Sequence, residues 1–303
     1  MPSGLNMAAK IICVANMKGG VGKTTMSVAL AQTLAGVGKR AKVLLIDLDA
    51  QANASFWLCG YANLTAAIDS GRTVDCFLED AIVFGKEVNL KERVRPAKAM
   101  AEQLFVIPSS PNLRIVEREL IVFLSRRHRN LLEVERVASD LLEQQLDTLR
   151  NDYDAIIFDT APGISAMTEA ALRLSNVLIV PTVPDYVSNL GLLAFCRSVS
   201  WSSNDRAATA KRLPWVAANK VKQTKHHQQM LRQMREAASG DGREFNMFRT
   251  EIPSSSRIDE IASDLDMDGE LGFDAEGAAV FAELAREVGE IAERDAVSVA
   301  ATA

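Results

Sequence analysis

Residues 10–34 read KIICVANMKGGVGKTTMSVALAQTL, and their texture changes twice. An apolar run at 11–15 gives way to a glycine-rich turn, and the turn to a segment whose Val28, Ala29, Leu30 and Leu34 form a helical stripe. The pattern predicts strand, loop and helix in that order. Gly19, Gly20 and Gly22 let the backbone turn its N–H groups toward an anion, and a helix starting near Lys23 adds the positive end of its dipole. Gly22, Lys23 and Thr24 meet the second half of the phosphate-loop pattern G-x-x-x-x-G-K-[ST], whereas Met17 stands where its first glycine belongs. Lys23 is expected to reach the β- and γ-phosphates of a nucleotide, and Thr24 to place its hydroxyl on Mg2+. The expected segment for binding ATP and Mg2+ is therefore Lys18, Gly19, Gly20, Val21, Gly22, Lys23, Thr24 and Thr25.

The alternation repeats along the chain. Brief apolar runs at 43–46, 104–107, 155–158, 177–180 and 215–218 are separated by longer helix-compatible segments, the pattern of a parallel sheet flanked by helices. Asp47 and Asp49, Asp159, Asp185 and Asn219 follow these runs, and ligands of open α/β sheets bind at that edge. The expected fold class is α/β: a single P-loop domain with a mostly parallel, twisted sheet and helices on both faces. No Gly-, Ser- and Pro-rich linker or internal repeat divides the 303 residues. One domain is expected over 1–303, frayed at about 1–9 and 296–303.

Composition narrows the function. With 48% hydrophobic residues the chain can bury a sizeable core. A net charge of −5 argues against coating nucleic acid with the whole surface, so any DNA contact needs a local basic patch. Cys13, Cys59, Cys76 and Cys196 lack metal-site or Cys-x-x-Cys spacing and are expected to be reduced and mostly buried. The opening MPSGLNMAAK lacks the apolar core of a signal peptide, and no run approaches the roughly 20 residues of a membrane span. A cytoplasmic protein is expected.

Carboxylates at strand ends beside a phosphate loop suit Mg2+ and a hydrolytic water. LLIDLDAQAN places Asp47 and Asp49 there, and DTAPG places Asp159. Pro162 and Gly163 fit either a switch segment that changes path when a γ-phosphate leaves or an ordinary turn before a helix.

Lys18, five residues before Lys23 in KGGVGKTT, resembles the signature lysine of the deviant Walker A family, which includes the ParA and MinD ATPases, nitrogenase iron protein and the arsenite-pump ATPase. In that family the lysine crosses a dimer interface to the partner's nucleotide, where a cation delivered in trans stabilises charge developing on phosphate oxygens. The resemblance is closest to the ParA (Soj-like) partition ATPases and runs from Lys10 to about Arg294. ANMKGGVGKTT, DLDAQANAS, FVIPSSPNL, YDAIIFDTAPG and VPTVPDYVSNLGLLAF look like ParA segments in the expected order. It implies catalytic roles for Lys18, Lys23 and Asp49, the last polarising or positioning the attacking water. It also implies that Asp47 supports the magnesium shell, that Asp159 is the Walker B carboxylate, and that Asn219 reads adenine through its amide. Ile252 and Pro253 of EIPSSS would lie against the base.

The iron-protein branch needs cysteines for a shared cluster, and no pair here has that spacing. A MinD-like membrane helix needs a basic polar face, yet from Glu251 onward the chain carries 14 Asp or Glu against 3 Arg and no Lys. Anionic lipid would repel it, and the helix expected around 281–291 is read as packing on the sheet. Residues 206–235 show the opposite bias, with Arg206, Lys211, Arg212, Lys220, Lys222, Lys225, Arg232 and Arg235 and no acidic residue. Such a face suits weak, salt-sensitive attachment to any duplex; Lys222, Lys225, Arg232 and Arg235 are the candidate DNA contacts. Arg126, Arg127 and Arg129 form a second basic cluster. About ten residues precede the first strand, so the helix-turn-helix extension of larger ParA proteins is not expected. The resemblance thus implies a slow Mg-ATPase that dimerises with ATP, binds non-specific nucleoid DNA, and is stimulated by a ParB-like or adaptor protein to position a plasmid, chromosome region or protein assembly. The alternatives are a MinD-like membrane-associated positioning ATPase and a metabolic or metal-trafficking deviant P-loop NTPase.

Overall fold

Each apolar run read above is a strand in the computed structural model, which describes residues 9–36, 41–97, 102–126, 131–202, 213–254 and 275–300. They are β1 (Lys10–Val14), β2 (Val43–Leu48), β4 (Leu104–Ile107), β5 (Ala155–Thr160), β6 (Val177–Thr182) and β7 (Trp215–Val221). Two edge strands complete the sheet: β3 (Arg95–Pro96) and β8 (Asn246–Pro253). The order is β3-β4-β2-β5-β1-β6-β7-β8, and every neighbouring pair is parallel except β3 with β4. The expected α/β class is what the chain adopts. In β8 the buried Phe248, Thr250 and Ile252 alternate with more exposed neighbours, so this strand has no continuous apolar run to betray it.

Ten α-helices are described: α1 (Lys23–Gly36), α2 (Asn53–Cys59), α3 (Tyr61–Asp69), α4 (Val74–Leu78), α5 (Leu113–Ser125), α6 (Leu131–Leu149), α7 (Ala166–Leu174), α8 (Tyr186–Ser202), α9 (Lys225–Ser239) and α10 (Ala275–Ala300). Alternate strand residues point to opposite faces, and each face has its own core. Ile11, Cys13, Leu44, Ile46, Ile156 and Phe158 cluster with residues of α5, α6, α7, α8 and α9. Ile12, Val14, Val43, Leu45 and Ile157 cluster with residues of α1, α2, α3 and α10. The helices therefore cover both faces.

The apolar stripe of α10, Phe281, Leu284, Val288 and Ile291, is buried in the second core, in keeping with the acidic character of its polar side. That helix runs to Ala300, so the tail expected to fray from Ala296 is helical that far. Among the described residues no helix is long and apolar enough to cross a membrane. Cys13, Cys59 and Cys196 are buried thiols and Cys76 a half-buried one. The expected fraying of 1–8 and 301–303, and the basic residues Arg127, Arg129, Arg206, Lys211 and Arg212, lie outside the described residues.

Phe158 is fully buried on β5, immediately before Asp159. Phe158→Ala is expected to cost about 3–5 kcal/mol, read as a lower urea midpoint with an unchanged m-value.

Candidate functional site

The chain leaves β1 between β5 and β6 and turns at the carboxyl edge of the sheet into α1. Asn16 opens that turn by donating Nδ2 to Pro181 O at 2.8 Å and accepting the Lys18 N–H at 3.0 Å. Gly20 and Gly22 have φ of +75° and +89°, a region that residues with a side chain rarely adopt. At Gly22 a second constraint applies, because a Cβ would lie 2.3 Å from Asn219 Nδ2. Asn219, at 6% exposure on β7, donates Nδ2 to Val21 O at 2.8 Å and accepts the Lys220 N–H on Oδ1 at 2.9 Å. The residue expected to read adenine thus buttresses the phosphate loop, with one N–H and one lone pair left over.

Of the other expected base contacts, Ile252 needs correction. Ile252 is fully buried within the second core, since strand alternation turns it inward, and it cannot lie against a base. Pro253 is half-exposed and pairs in register with Val221.

Strand register assembles the acidic centre. Asp159 on β5 lies level with Val14 on β1 and with Asp47 on β2. Asp47 is fully buried and uses both oxygens locally: Oδ1 accepts the Asp49 N–H at 3.0 Å, and Oδ2 accepts the Ser55 N–H at 2.9 Å and hydroxyl at 2.6 Å. Ser55 Oγ in turn accepts the Ser109 N–H beyond β4 at 2.8 Å. Asp47 therefore organises the loop that carries Asp49 and commits its acceptors there. Asp49 is almost buried and accepts the Gln51 N–H on Oδ1 at 2.9 Å.

Asp159 accepts the Ser27 hydroxyl on Oδ1 at 2.8 Å, while its Oδ2 is buried without a hydrogen-bond partner. Burial first, and then the charge of Asp47, raise its carboxyl above the ordinary range, against the pull of the Ser27 and Thr24 hydroxyls. Burial likewise raises Asp47. Lys23, at 6% exposure, donates Nζ to Lys18 O at 3.2 Å. Burial lowers its pKa, and the charges of Asp159 and Asp49 push it back up. An orphaned carboxylate oxygen, a buried ammonium and a loop that excludes Cβ atoms together fit a magnesium-nucleotide.

Lys18 points elsewhere. Its Nζ donates to Ser188 Oγ at 2.7 Å and lies 3.9 Å from Asp185 Oδ1. Ser188 donates its N–H to Asp185 Oδ1 at 2.7 Å and its hydroxyl to Oδ2 at 2.9 Å, which ties the first turn of α8. That helix then exposes Tyr186, Val187, Leu190 and Leu193. Of the candidate DNA contacts, Lys222, Lys225 and Arg232 are exposed, whereas Arg235 pairs with Glu251 at 2.6 Å.

Sequence reasoning missed Ser27 and Ser55. Ser27 lies one helical turn beyond Lys23, on the same face, which is the only signal that could have found it.

An AAA-domain family model matches residues 9–208. The sporulation initiation inhibitor protein Soj of Bacillus subtilis (strain 168) is 34% identical over 191 residues, 63% of this chain and 64% of that protein. The chromosome partitioning protein ParA of Myxococcus xanthus is 32% identical over 184 residues, 60% of this chain and 55% of that protein. The chain therefore matches less than two thirds of either relative's length. Among solved structures, an ATP complex of a Cyanothece McdA variant superposes with a TM-score of 0.70 at 21% identity, covering 93% of this chain and 96% of that one. Cobyrinic acid a,c-diamide synthase from Mycobacterium smegmatis, with a bound ATP analogue and magnesium, gives 0.66 at 22% identity and coverages of 92% and 93%. At these identities the structures attest the fold.

Asp159 keeps its proton to higher pH in the folded chain than in the unfolded one, so it subtracts stability from the ligand-free protein as pH rises through its raised pKa. Asp159→Asn is expected to stabilise that state by about 1 kcal/mol or more near pH 8, with the advantage shrinking toward about pH 5. Calorimetry of both proteins across this range checks the sign. The same variant should lose the added stability that ATP and Mg2+ give the wild type.

Proposed function

Since the chain belongs to the ParA (Soj-like) family of P-loop ATPases with a deviant phosphate loop, we propose that it is an ATP-driven positioning switch. It binds ATP with Mg2+, dimerises, attaches to non-specific DNA, and lets go when a ParB-like or adaptor partner stimulates slow hydrolysis. The cargo class is a plasmid, a chromosome region or a protein assembly, and the site of action is the nucleoid.

The residues divide the work. Loop N–H groups and Lys23 hold the β- and γ-phosphates. Thr24 and Asp159 would hold the magnesium, which when bound neutralises charge developing on the phosphate oxygens. Asp49 orients the attacking water, and Asp47 holds the loop that carries Asp49.

One observation carries the dimeric reading. Lys18, the lysine that in the family serves the other subunit, sits against the start of α8, whose Tyr186, Val187 and Leu190 are 62%, 67% and 62% exposed. A cation beside an uncovered apolar helix face is suited to an interface that buries both. For DNA, the support is the exposed Lys222, Lys225 and Arg232, with the paired Arg235 a lesser contributor. Against the membrane alternative stands α10, whose apolar stripe is already buried.

Binding to a non-specific duplex, measured without nucleotide and with ADP, ATP or a slowly hydrolysed ATP analogue at several salt concentrations, tests the reading. ATP-dependent, salt-sensitive binding is expected, and its absence in every state would overturn the DNA role. Replacing Lys222, Lys225 and Arg232 by Ala should weaken binding uniformly across sequences and lower the salt slope by about one for each phosphate that is no longer neutralised. Asp49→Ala should trap ATP-bound dimers on DNA. Normal turnover in that variant would remove Asp49 from the water-orienting role.

A further inference from the structure

Between β5 and α7 the chain runs through Ala161, Pro162, Gly163, Ile164 and Ser165. Gly163 has φ +103°, a conformation that leaves little but glycine at this bend. Pro162 packs toward the phosphate loop, since a Cβ on Gly19 would come within 3.9 Å of its ring. At the far end Ser165 caps α7, accepting the Thr168 N–H on Oγ at 3.2 Å. The same hydroxyl donates to Glu117 Oε1 on α5 at 2.6 Å. The connection therefore has three fixed points: β5, the phosphate loop and Glu117.

Glu117 is the acid at the far end of this link. It is half-buried, and among the described residues no ion pair joins it to a basic side chain. Burial raises its carboxyl, the Ser165 hydroxyl draws it back down, and the charge of Asp49 adds a smaller upward push. A cavity of about 280 Å³ adjoins it, lined by Glu117, Ser165, Met167, Leu120 and Leu124 among others. The bond to Ser165 holds one of its carboxylate oxygens beside that cavity.

We propose that Glu117 is a positioning residue for ATP hydrolysis: by holding Ser165 it keeps the Pro162–Gly163 bend seated against the phosphate loop. The inference rests on the ATPase reading and adds a residue to it. Glu117 touches neither nucleotide nor water in this role. It acts through the bend, which leaves β5 just after Asp159 and carries Pro162 toward Gly19. Nucleotide affinity resides in Lys23 and the loop N–H groups, so loosening the bend should slow turnover while leaving binding nearly intact.

The test compares full-length wild type with Glu117→Ala, Glu117→Gln, Ser165→Ala and the Glu117→Ala/Ser165→Ala double variant. It uses steady-state ATPase assays with Mg2+ and amide hydrogen exchange of the ligand-free proteins over residues 161–167. Glu117→Ala and Ser165→Ala should each lower kcat by about tenfold with KM within about twofold. The double variant should be no slower than the slower of the two single variants, because both remove one link. Glu117→Gln keeps an acceptor oxygen and should retain kcat within about threefold. Exchange over the bend should quicken in Glu117→Ala and stay unchanged in Glu117→Gln. Full kcat in Glu117→Ala, multiplying defects in the double variant, or a Gln variant as slow as Ala would overturn the proposal. If the wild type hydrolyses no ATP, the ATPase reading has failed, and unaltered exchange in Glu117→Ala would then separately overturn the link.

Discussion

The structure turns on placing two carboxylates level with each other inside an apolar parallel sheet. Asp47 and Asp159 sit on adjacent strands, both fully buried, at the carboxyl edge where β1 enters the phosphate loop. Burying one charge is costly unless donors surround it, and a second of the same sign adds repulsion. The two acids meet this cost differently. Asp47 collects three hydrogen bonds from Asp49 and Ser55 and becomes part of the scaffold. Asp159 collects the Ser27 hydroxyl and keeps one buried oxygen without a partner. On the proposed reading that oxygen would take a cation, shared with Thr24 three residues before Ser27 on α1.

The strands offset this arrangement with hydrophobic burial, and they also supply its rigidity. The phosphate loop is held from two sides by residues distant in sequence: Asn16 reaches β6 through Pro181, and Asn219 on β7 grips Val21. A loop so tethered presents its N–H groups to a phosphate with little reorganisation on binding. Gly22 shows how tight the fit is, since its Cβ-free backbone leaves room for the Asn219 amide.

What could be read from the sequence follows the same physics. The phosphate loop and the six inner strands were legible because strands buried on both faces are continuous apolar runs, and because glycines before a helix mark an anion site. The edge strand β8 was not, since NMFRTEIP buries only alternate residues. The same alternation turns Ile252 into the core and defeats its reading as a base contact. Asp47, Asp49 and Asp159 look alike as strand-end acids. Only their partners distinguish them, and Ser55 and Ser27 are ordinary serines in a sequence until the fold brings them within 2.6 Å and 2.8 Å. The side-chain direction of Lys18 was likewise beyond sequence reasoning, because it depends on where β6 delivers Asp185.

That direction bears on how a lysine can serve another subunit. In the single chain its ammonium rests on Ser188 Oγ, with Asp185 at 3.9 Å and its own side chain 41% exposed. An ion pair this long and this wet is worth less than about 1 kcal/mol. A nucleotide phosphate, carrying more charge in a site closed to water, is a stronger partner for the same ammonium. The resting contact thus keeps Lys18 extended toward the α8 face without binding it there, and closing two such faces together would exchange a weak acceptor for a strong one. On the dimeric reading, the favourable step is the exchange itself, which requires ATP in the opposing loop and so makes association depend on the nucleotide.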